Sequence, residues 1–397
     1  MPDTVVHFHE LSYVPDGDDV VVGRIETGSF AVLPADGAQL LRRLAEGQTA
    51  LEAAAWYEES FGEPVDIDDF LESMDGLGFI RPPGAPQESA GPPRFQRLGR
   101  MLFSPPAWII YAALVVAAVA EIAGSRVLRP TASQVYFTSS LATVEVVVMF
   151  GQMPLAFLHE AYHVLAGQRI GLRSKLGISN RYTYVVFETR SNGLLGVPRR
   201  QRYLPFLAGM LLDVEVICVL DLVAALTRQS DGALSTAGRV CVAFSFSVIG
   251  RLGWQCLLYL RTDVYYVLAT ALNCYDLHEA SKAIFFNRLR RLVRRTGHLV
   301  DEDQWTARDR KVGAWYGWCV LLGMVATVFL TVFVSGPIVV LYVTRAAHGL
   351  AAGLGTGRFW DSLASLALIV LQFALPALLA WRKRRGRADR EPHPLAA

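Results

Sequence analysis

His159, Glu160 and His163 form the pattern H-E-x-x-H inside an apolar stretch of the chain. On a helix, residues four apart share one face, so both imidazoles can reach a single zinc ion. The carboxylate of Glu160 stands beside them and can act as general base on a water molecule. These residue types predict metal-assisted hydrolysis with Zn²⁺ as cofactor. The alternative interpretation is a pair of histidines that hydrogen-bond within a helix bundle.

A catalytic zinc site needs a third protein ligand and one open position. Two aspartates compete for that place. Asp213 lies inside the apolar segment 204–226, and Asp263 lies three residues after the end of the segment 238–260. The rise of a helix places both within reach of the histidines. Spacing alone therefore leaves Asp263 and Asp213 open as third metal ligands.

The elements that position these residues are apolar segments, in a chain that is 52% hydrophobic and only 19% charged. Such a composition indicates a membrane protein. Six segments are long enough to cross a bilayer, at 106–124, 141–165, 204–226, 238–260, 314–343 and 361–381. Gly336-Pro337 predicts that the fifth kinks or ends there. Glu121 and Asp221 are expected near the interfaces or in hydrogen bonds between helices.

Arginine-rich stretches set the expected orientation. They precede the first segment, fill 169–202 and 288–295, and follow the last segment. With six spans all four stretches fall on one side, which the positive-inside rule makes the cytoplasm. The first residues are acidic and lack an apolar signal segment. We therefore expect a multi-pass protein of the cell membrane, with both termini cytoplasmic and the lipid bilayer as a partner.

The first 80 residues have a different character. They carry 17 Asp and Glu against three Arg, a net charge of −14 that argues against nucleic acid as a partner. Alternating apolar residues over 5–33 predict paired strands. Three short helices are expected to follow, with Asp36 as a cap of the first and a capping box opening at Thr49. This pattern predicts a small α+β domain.

The predicted organisation has four parts. They are the acidic α+β domain at 1–81, a Pro- and Gly-rich linker at 82–104, a transmembrane domain with H-E-x-x-H at 105–382 and a basic tail at 383–397. The expected fold class is mainly α, a bundle of about six transmembrane helices with a small N-terminal α+β domain.

The N-terminal domain resembles the PqqD-like domains that recognise leader peptides of ribosomally made natural products. The resemblance rests on soft motifs, which are Val22-Gly23-Arg24, Thr27-Gly28-Ser29-Phe30, Leu33-Pro34, the helix end from Leu44 to Gly47 and the closing segment Gly76-Leu77-Gly78-Phe79-Ile80. It implies a winged-helix-like fold and a precursor or leader peptide that adds to a sheet edge.

The remainder resembles the site-2 protease class of intramembrane zinc peptidases, in its peptide zinc metalloprotease branch. The carriers are H-E-x-x-H, the small-residue segment Ala208-Gly209-Met210 and Asp263 followed by Tyr265-Tyr266. Val264 stands where that class has glycine, and no Asn-x-x-Pro precedes Asp263. The resemblance implies His159, His163 and Asp263 as zinc ligands, with Asp213 the alternative to Asp263.

Two functional hypotheses follow. In the first, the chain is an intramembrane zinc endopeptidase, a metalloprotease that processes a ribosomally made precursor peptide captured by the N-terminal domain. In the second, it is a non-catalytic permease, immunity protein or scaffold that keeps a peptidase-like fold. Metal content separates them, since only the first requires bound zinc.

Overall fold

The computed structural model describes residues 5–82, 91–181, 184–190, 193–294, 297 and 299–388. These residues are mainly helical, with a small antiparallel sheet near the N-terminus. They form two compact units. The first unit comprises Met1–Phe103, His163–Lys175 and Thr189–Pro205. The second comprises Ser104–Tyr162, Leu176–Glu188 and Phe206–Ala397.

The N-terminal part of the first unit is an α+β domain, as predicted. Strands β1 (Ser12–Asp16), β2 (Asp19–Arg24) and β3 (Ser29–Pro34) form an antiparallel sheet in that order. Helices α1 (Ala35–Ala45), α2 (Ala50–Phe61) and α3 (Ile67–Gly76) follow. Val22, Leu41, Met74 and Phe79 are buried together between sheet and helices. Their burial makes the hydrophobic effect the main stabilising force of this domain.

The capping box at Thr49 is confirmed. The Thr49 hydroxyl accepts a hydrogen bond from the Glu52 amide at 3.2 Å, and the Glu52 carboxylate accepts one from the Thr49 amide at 2.9 Å. The predicted cap at Asp36 is wrong. Pro34 is the N-cap residue, and α1 begins at Ala35, so Asp36 falls in the first turn of the helix, where its negative charge favours the helix dipole. There Asp36 accepts a hydrogen bond from the Tyr57 hydroxyl, which lowers the pKa of the Asp36 carboxyl.

The rest of the chain is built from helices and one strand pair. In chain order they are α4 (Gln96–Leu102), α5 (Pro105–Gly124), α6 (Leu141–Arg169), β4 (Lys175–Arg181), β5 (Tyr184–Arg190), α7 (Arg199–Leu226), α8 (Thr236–Gln255), α9 (Asp263–Ala271), α10 (Leu277–Leu292), α11 (Ala307–Leu330), α12 (Gly336–Ala351) and α13 (Gly357–Ala388). Most of each predicted apolar segment is helical. Within the described ranges, three helical stretches are long and apolar enough to cross a membrane: α5, α6 and the continuous stretch Ala307–Ala351.

The continuous stretch changes its winding before Gly336-Pro337. Residues Thr331–Ser335 form a π-helical turn, and α12 begins at Gly336. Proline lacks an amide hydrogen and its ring crowds the preceding turn, so the regular hydrogen-bond ladder cannot pass through it. The sequence predicted a kink or an end at this point; the helix widens there and continues.

The predicted linker contains a helix. In α4, Gly99 lies so close to α6 that an added Cβ would stand 2.3 Å from the Leu165 carbonyl oxygen. The Gln168 side chain of α6 accepts a hydrogen bond from the Phe95 amide at 3.1 Å. These contacts lie within the first unit and attach the segment before α5 to the end of α6. Residues 83–90 of the linker and 389–397 of the basic tail lie outside the described residues.

A short segment before α7 packs against the N-terminal sheet, also within the first unit. Gly193, at a positive φ of 94°, and Gly196 leave room for Ile25, Ser12 and Phe30 of the domain. At the first residue of α7, the Arg199 guanidinium pairs with the buried carboxylate of Asp16 at 3.4 Å. The domain is therefore joined to the first turn of α7.

Candidate metal centre

Helix α6 places His159 and His163 one turn apart on the same face. Both side chains are almost fully buried, at 4% and 7% exposure. Pro154 lies inside the same helix, one turn before the motif. Helix α6 is apolar enough to cross a membrane, so it can lie in hydrocarbon while its buried polar motif faces the protein. The motif predicted from the sequence is therefore held on a membrane-length helix.

Asp263 is brought to this site by a tight turn after α8. Arg261 adopts a left-handed conformation, with φ of 54°, and reverses the chain. The Gln255 side chain then accepts a hydrogen bond from the Asp263 amide at 3.1 Å, and the Gln255 carbonyl accepts one from Thr262 at 2.6 Å. Asp263 thus becomes the first residue of α9.

Helix α9 is fixed by aromatic packing within the second unit. Tyr265 and Tyr316 are buried in one apolar cluster, which joins α9 to α10 and α11. Tyr266 stacks on Phe206 of α7, with ring centroids 5.4 Å apart and planes 13° from parallel. The two tyrosines that follow Asp263 in the sequence therefore set the position of its carboxylate.

His159, His163 and Asp263 converge. One donor atom from each lies within 4.8 Å of the other two, and the group could hold a metal ion. The His159 Nε2 atom lies 3.3 Å from Asp263 Oδ2. Two imidazole nitrogens and one carboxylate oxygen are ligands that suit a divalent transition metal.

The Nδ1 atom of each imidazole faces a hydrogen-bond acceptor. His159 Nδ1 lies 3.0 Å from Asp213 Oδ2, and His163 Nδ1 lies 2.7 Å from the carbonyl oxygen of Pro205. An imidazole that donates from Nδ1 keeps the lone pair of Nε2 for a metal, and metal-binding histidines are usually held this way. The donor set therefore fits a metal ion on the Nε2 side of both rings.

The two candidate third ligands occupy opposite sides of the same imidazole. Asp263 faces the Nε2 side, and its side chain is 22% exposed. Asp213 faces the Nδ1 side and is fully buried. Both of its carboxylate oxygens also accept hydrogen bonds from the Arg251 guanidinium, the Nε–Oδ2 contact measuring 3.0 Å. Asp263, not Asp213, belongs to the group of converging donors.

Glu160 follows His159 on α6 and is half-buried. Two other acids that the sequence singled out, buried Asp221 and exposed Glu121, have partners away from this site. Asp221 accepts a hydrogen bond from Ser245 at 2.7 Å, and Glu121 pairs with Arg228 at 2.9 Å. Asp221 therefore makes a hydrogen bond between helices, as predicted, whereas the partner of Glu121 lies just after the end of α7. A position of Glu121 near a membrane interface stays a prediction.

Two residues near the site were not identified from the sequence. The sequence could have singled out Arg251, because a charged side chain within an apolar segment is costly and needs a partner. No feature of the sequence pointed to Pro205, because it contacts the site through its backbone carbonyl.

Comparison with protein-family models, with curated proteins and with solved structures finds no match for this chain.

Proposed function

We propose that this chain is an intramembrane zinc endopeptidase. The observation that carries the proposal is the convergence of His159 and His163 with Asp263 of α9. The two histidines and Glu160 lie on α6, which is long enough to cross a membrane. The hydrogen-bond acceptors behind both histidines support it, because they leave the two Nε2 atoms as metal ligands.

Zinc is the proposed metal because three protein ligands of this kind leave a fourth tetrahedral position open. When bound, zinc supplies a Lewis acid that polarises a carbonyl group and makes water more acidic. His159, His163 and Asp263 would hold the ion, and Asp213 would orient His159 from behind.

Glu160 is the proposed general base. Its carboxylate accepts a proton from the water that adds to the scissile carbonyl carbon. As the carbon–nitrogen bond breaks, Glu160 returns that proton to the leaving nitrogen, so the amide and water become a carboxylic acid and an amine. The position directly after His159 keeps this carboxylate beside the ligand set.

The proposed setting is a six-span body with both termini in the cytoplasm. The apolar stretches of α5, α6 and Ala307–Ala351 support membrane insertion, and α7, α8 and α13 complete the set. Buried carboxylates within α7, including Asp213 and Asp221, are consistent with helices that face a protein interior rather than lipid.

The proposed substrate is a ribosomally made precursor peptide. In the described residues, β3 pairs with β2 on one side alone, which leaves a sheet edge to which an extended peptide can add. The N-terminal domain would hold the leader of such a peptide while the remainder reaches the metal centre. Resemblance to PqqD-like domains supports this assignment.

The zinc content of the detergent-purified full chain tests the site. We expect about one zinc ion per chain, since the described ligands form a single group. His159→Ala and Asp263→Ala are expected to lose the ion, and Glu160→Gln to retain it. Ser245→Ala, on α8 but away from the ligands, is the control and should retain full zinc.

Activity is tested in cells by comparing the peptide termini produced with wild type and with Glu160→Gln. New termini that need the wild-type carboxylate would identify the substrate and support the mechanism. Identical termini with zinc present would contradict the role of Glu160. No zinc in wild type grown with ample metal would favour the non-catalytic permease, immunity protein or scaffold.

A further inference from the structure

Arg251 lies inside an apolar segment, and its guanidinium binds a single buried carboxylate at two points. Its guanidinium donates through Nε and through Nη2 to the two oxygens of Asp213. Asp213 is fully buried, and one of these same oxygens lies 3.0 Å from His159 Nδ1. Arg251, Asp213 and His159 therefore form one continuous hydrogen-bonded chain across α8, α7 and α6.

The chemistry of this chain fixes the proton on the histidine. A carboxylate bound at both oxygens by a guanidinium has only acceptor positions to offer. His159 must then carry its hydrogen on Nδ1, and Nε2 keeps its lone pair toward Asp263. In the other tautomer Nε2 would carry the hydrogen and could not bind a metal.

We propose that Arg251 is a positioning residue that acts through Asp213 to hold His159 in the tautomer and orientation needed for metal binding. This inference rests on the proposed function and deepens it. Arg251 itself cannot be a metal ligand, because a guanidinium offers only hydrogen-bond donors. Its contribution passes entirely through the Asp213 carboxylate.

A second polar pair joins α7 and α8 by a single hydrogen bond and serves as a comparison for the Arg251–Asp213 contact. Asp221 and Ser245 join the helices by one hydrogen bond of 2.7 Å. The second oxygen of Asp221 is buried and has no hydrogen-bond partner in the described structure. Asp221 is as buried as Asp213, yet it receives no guanidinium. The two-point Arg251 contact occurs where a histidine has to be oriented.

The test is the Zn²⁺ affinity of the detergent-purified full chain, measured by competition with a coloured chelator. Arg251→Gln is expected to weaken binding about 10- to 100-fold, the usual effect of losing such a supporting partner. Arg251→Lys should recover part of that loss, because lysine restores a charged donor to Asp213. Ser245→Ala, which breaks the neighbouring α7–α8 contact, should bind Zn²⁺ as wild type does.

A double-variant cycle separates positioning from a general packing effect. If Arg251 acts only through Asp213, Asp213→Asn with Arg251→Gln should bind Zn²⁺ no more weakly than Asp213→Asn alone. Losses that simply add would overturn the proposal. The visible spectrum of bound Co²⁺ gives a second readout: Arg251→Gln should change the ligand-field bands, and Ser245→Ala should leave them unchanged.

The outcomes also distinguish this inference from the proposed function. Wild-type affinity in Arg251→Gln, with zinc lost in His159→Ala, would overturn the positioning role and leave the metal site standing. No Zn²⁺ binding by wild type would overturn both. Should Arg251→Gln fail to fold, Arg251→Lys and Asp213→Asn decide the case, and wild-type affinity in both would overturn the proposal.

Discussion

His159 is the residue on which the site depends most, because each of its ring nitrogens faces a different aspartate. Spacing along the chain left both aspartates within reach of the histidines, and only the family resemblance favoured Asp263 over Asp213. Assignment needed the turn at Arg261 and the guanidinium of Arg251, and both depend on tertiary contacts. The group that could hold a metal ion was thus foreseeable from residue types, whereas the hydrogen bonds of Asp213 were not.

Glu215 has an environment unlike that of the other acids on α7. It is 6% exposed, and neither of its carboxylate oxygens has a hydrogen-bond partner among the described residues. Burying a carboxyl group without partners costs free energy, because the hydration of the group is lost and nothing replaces it. The side chain therefore reduces the stability of the bundle.

We expect Glu215→Leu to raise the free energy of unfolding by about 1–3 kcal/mol, since it removes that cost and keeps the volume filled. The midpoint of thermal unfolding in detergent measures it. Glu121→Leu is the control at an exposed carboxylate that has a partner, and it should give no rise because it removes the ion pair with Arg228. An unchanged midpoint in Glu215→Leu would mean that the carboxyl group gains an equal stabilisation in the bilayer-like environment.

At the scale of elements, close approach between helices depends on glycine. Gly99 of α4 meets the backbone of α6, where an added methyl group would stand 2.3 Å from the Leu165 carbonyl oxygen. Backbone atoms cannot rotate away as a side-chain tip can. The helix pair must therefore separate to admit any larger residue.

Gly99→Ala is predicted to destabilise this contact by about 1–3 kcal/mol, the usual cost of overpacking. Faster hydrogen exchange in α4 and in the last turns of α6 would report it. Gly124→Ala provides the same substitution in α5 at a position with nothing within 4 Å of the added atom. It should leave exchange unchanged or slow it, and equal acceleration in both variants would contradict the steric argument.

Helix positions were the most predictable elements, because apolar runs and caps such as Thr49 are local signals. Elements without such signals were missed. Helix α4 lay hidden in a Pro- and Gly-rich stretch, and its contact with α6 is what Gly99 makes possible. Strands β4 and β5 fall in a stretch that the sequence marked only as arginine-rich. The π-helical turn was foreseen as a break by its Gly-Pro but not as a continuation.

At the scale of the whole molecule, the sequence separates an acidic domain from a basic remainder. Residues 1–80 have a net charge of −14 within a chain of net +2. Basic loops are retained on the cytoplasmic side of a membrane. The proposed orientation of the six spans, with both termini in the cytoplasm, comes from applying that rule to the arginine-rich stretches between the helices.

Single-cysteine labelling tests the arrangement in a variant whose five cysteines are replaced. A membrane-impermeant maleimide should label Asp231→Cys, between α7 and α8, in intact cells. Arg173→Cys, in the basic stretch after α6, should react only once the membrane is opened. Labelling of both residues in intact cells, or the reverse pattern, would contradict the topology.

Helix α7 begins at the residue that holds the N-terminal domain and soon reaches the residue that holds a histidine. Arg199 binds Asp16, and the carbonyl group of Pro205 accepts the hydrogen bond of His163. Six residues of helix separate the two points, a distance of about 9 Å. A helical segment of that length is rigid along its axis. A displacement of Arg199 along the helix axis would therefore also displace the Pro205 carbonyl group. Such a displacement would change the length of the hydrogen bond between that carbonyl group and His163.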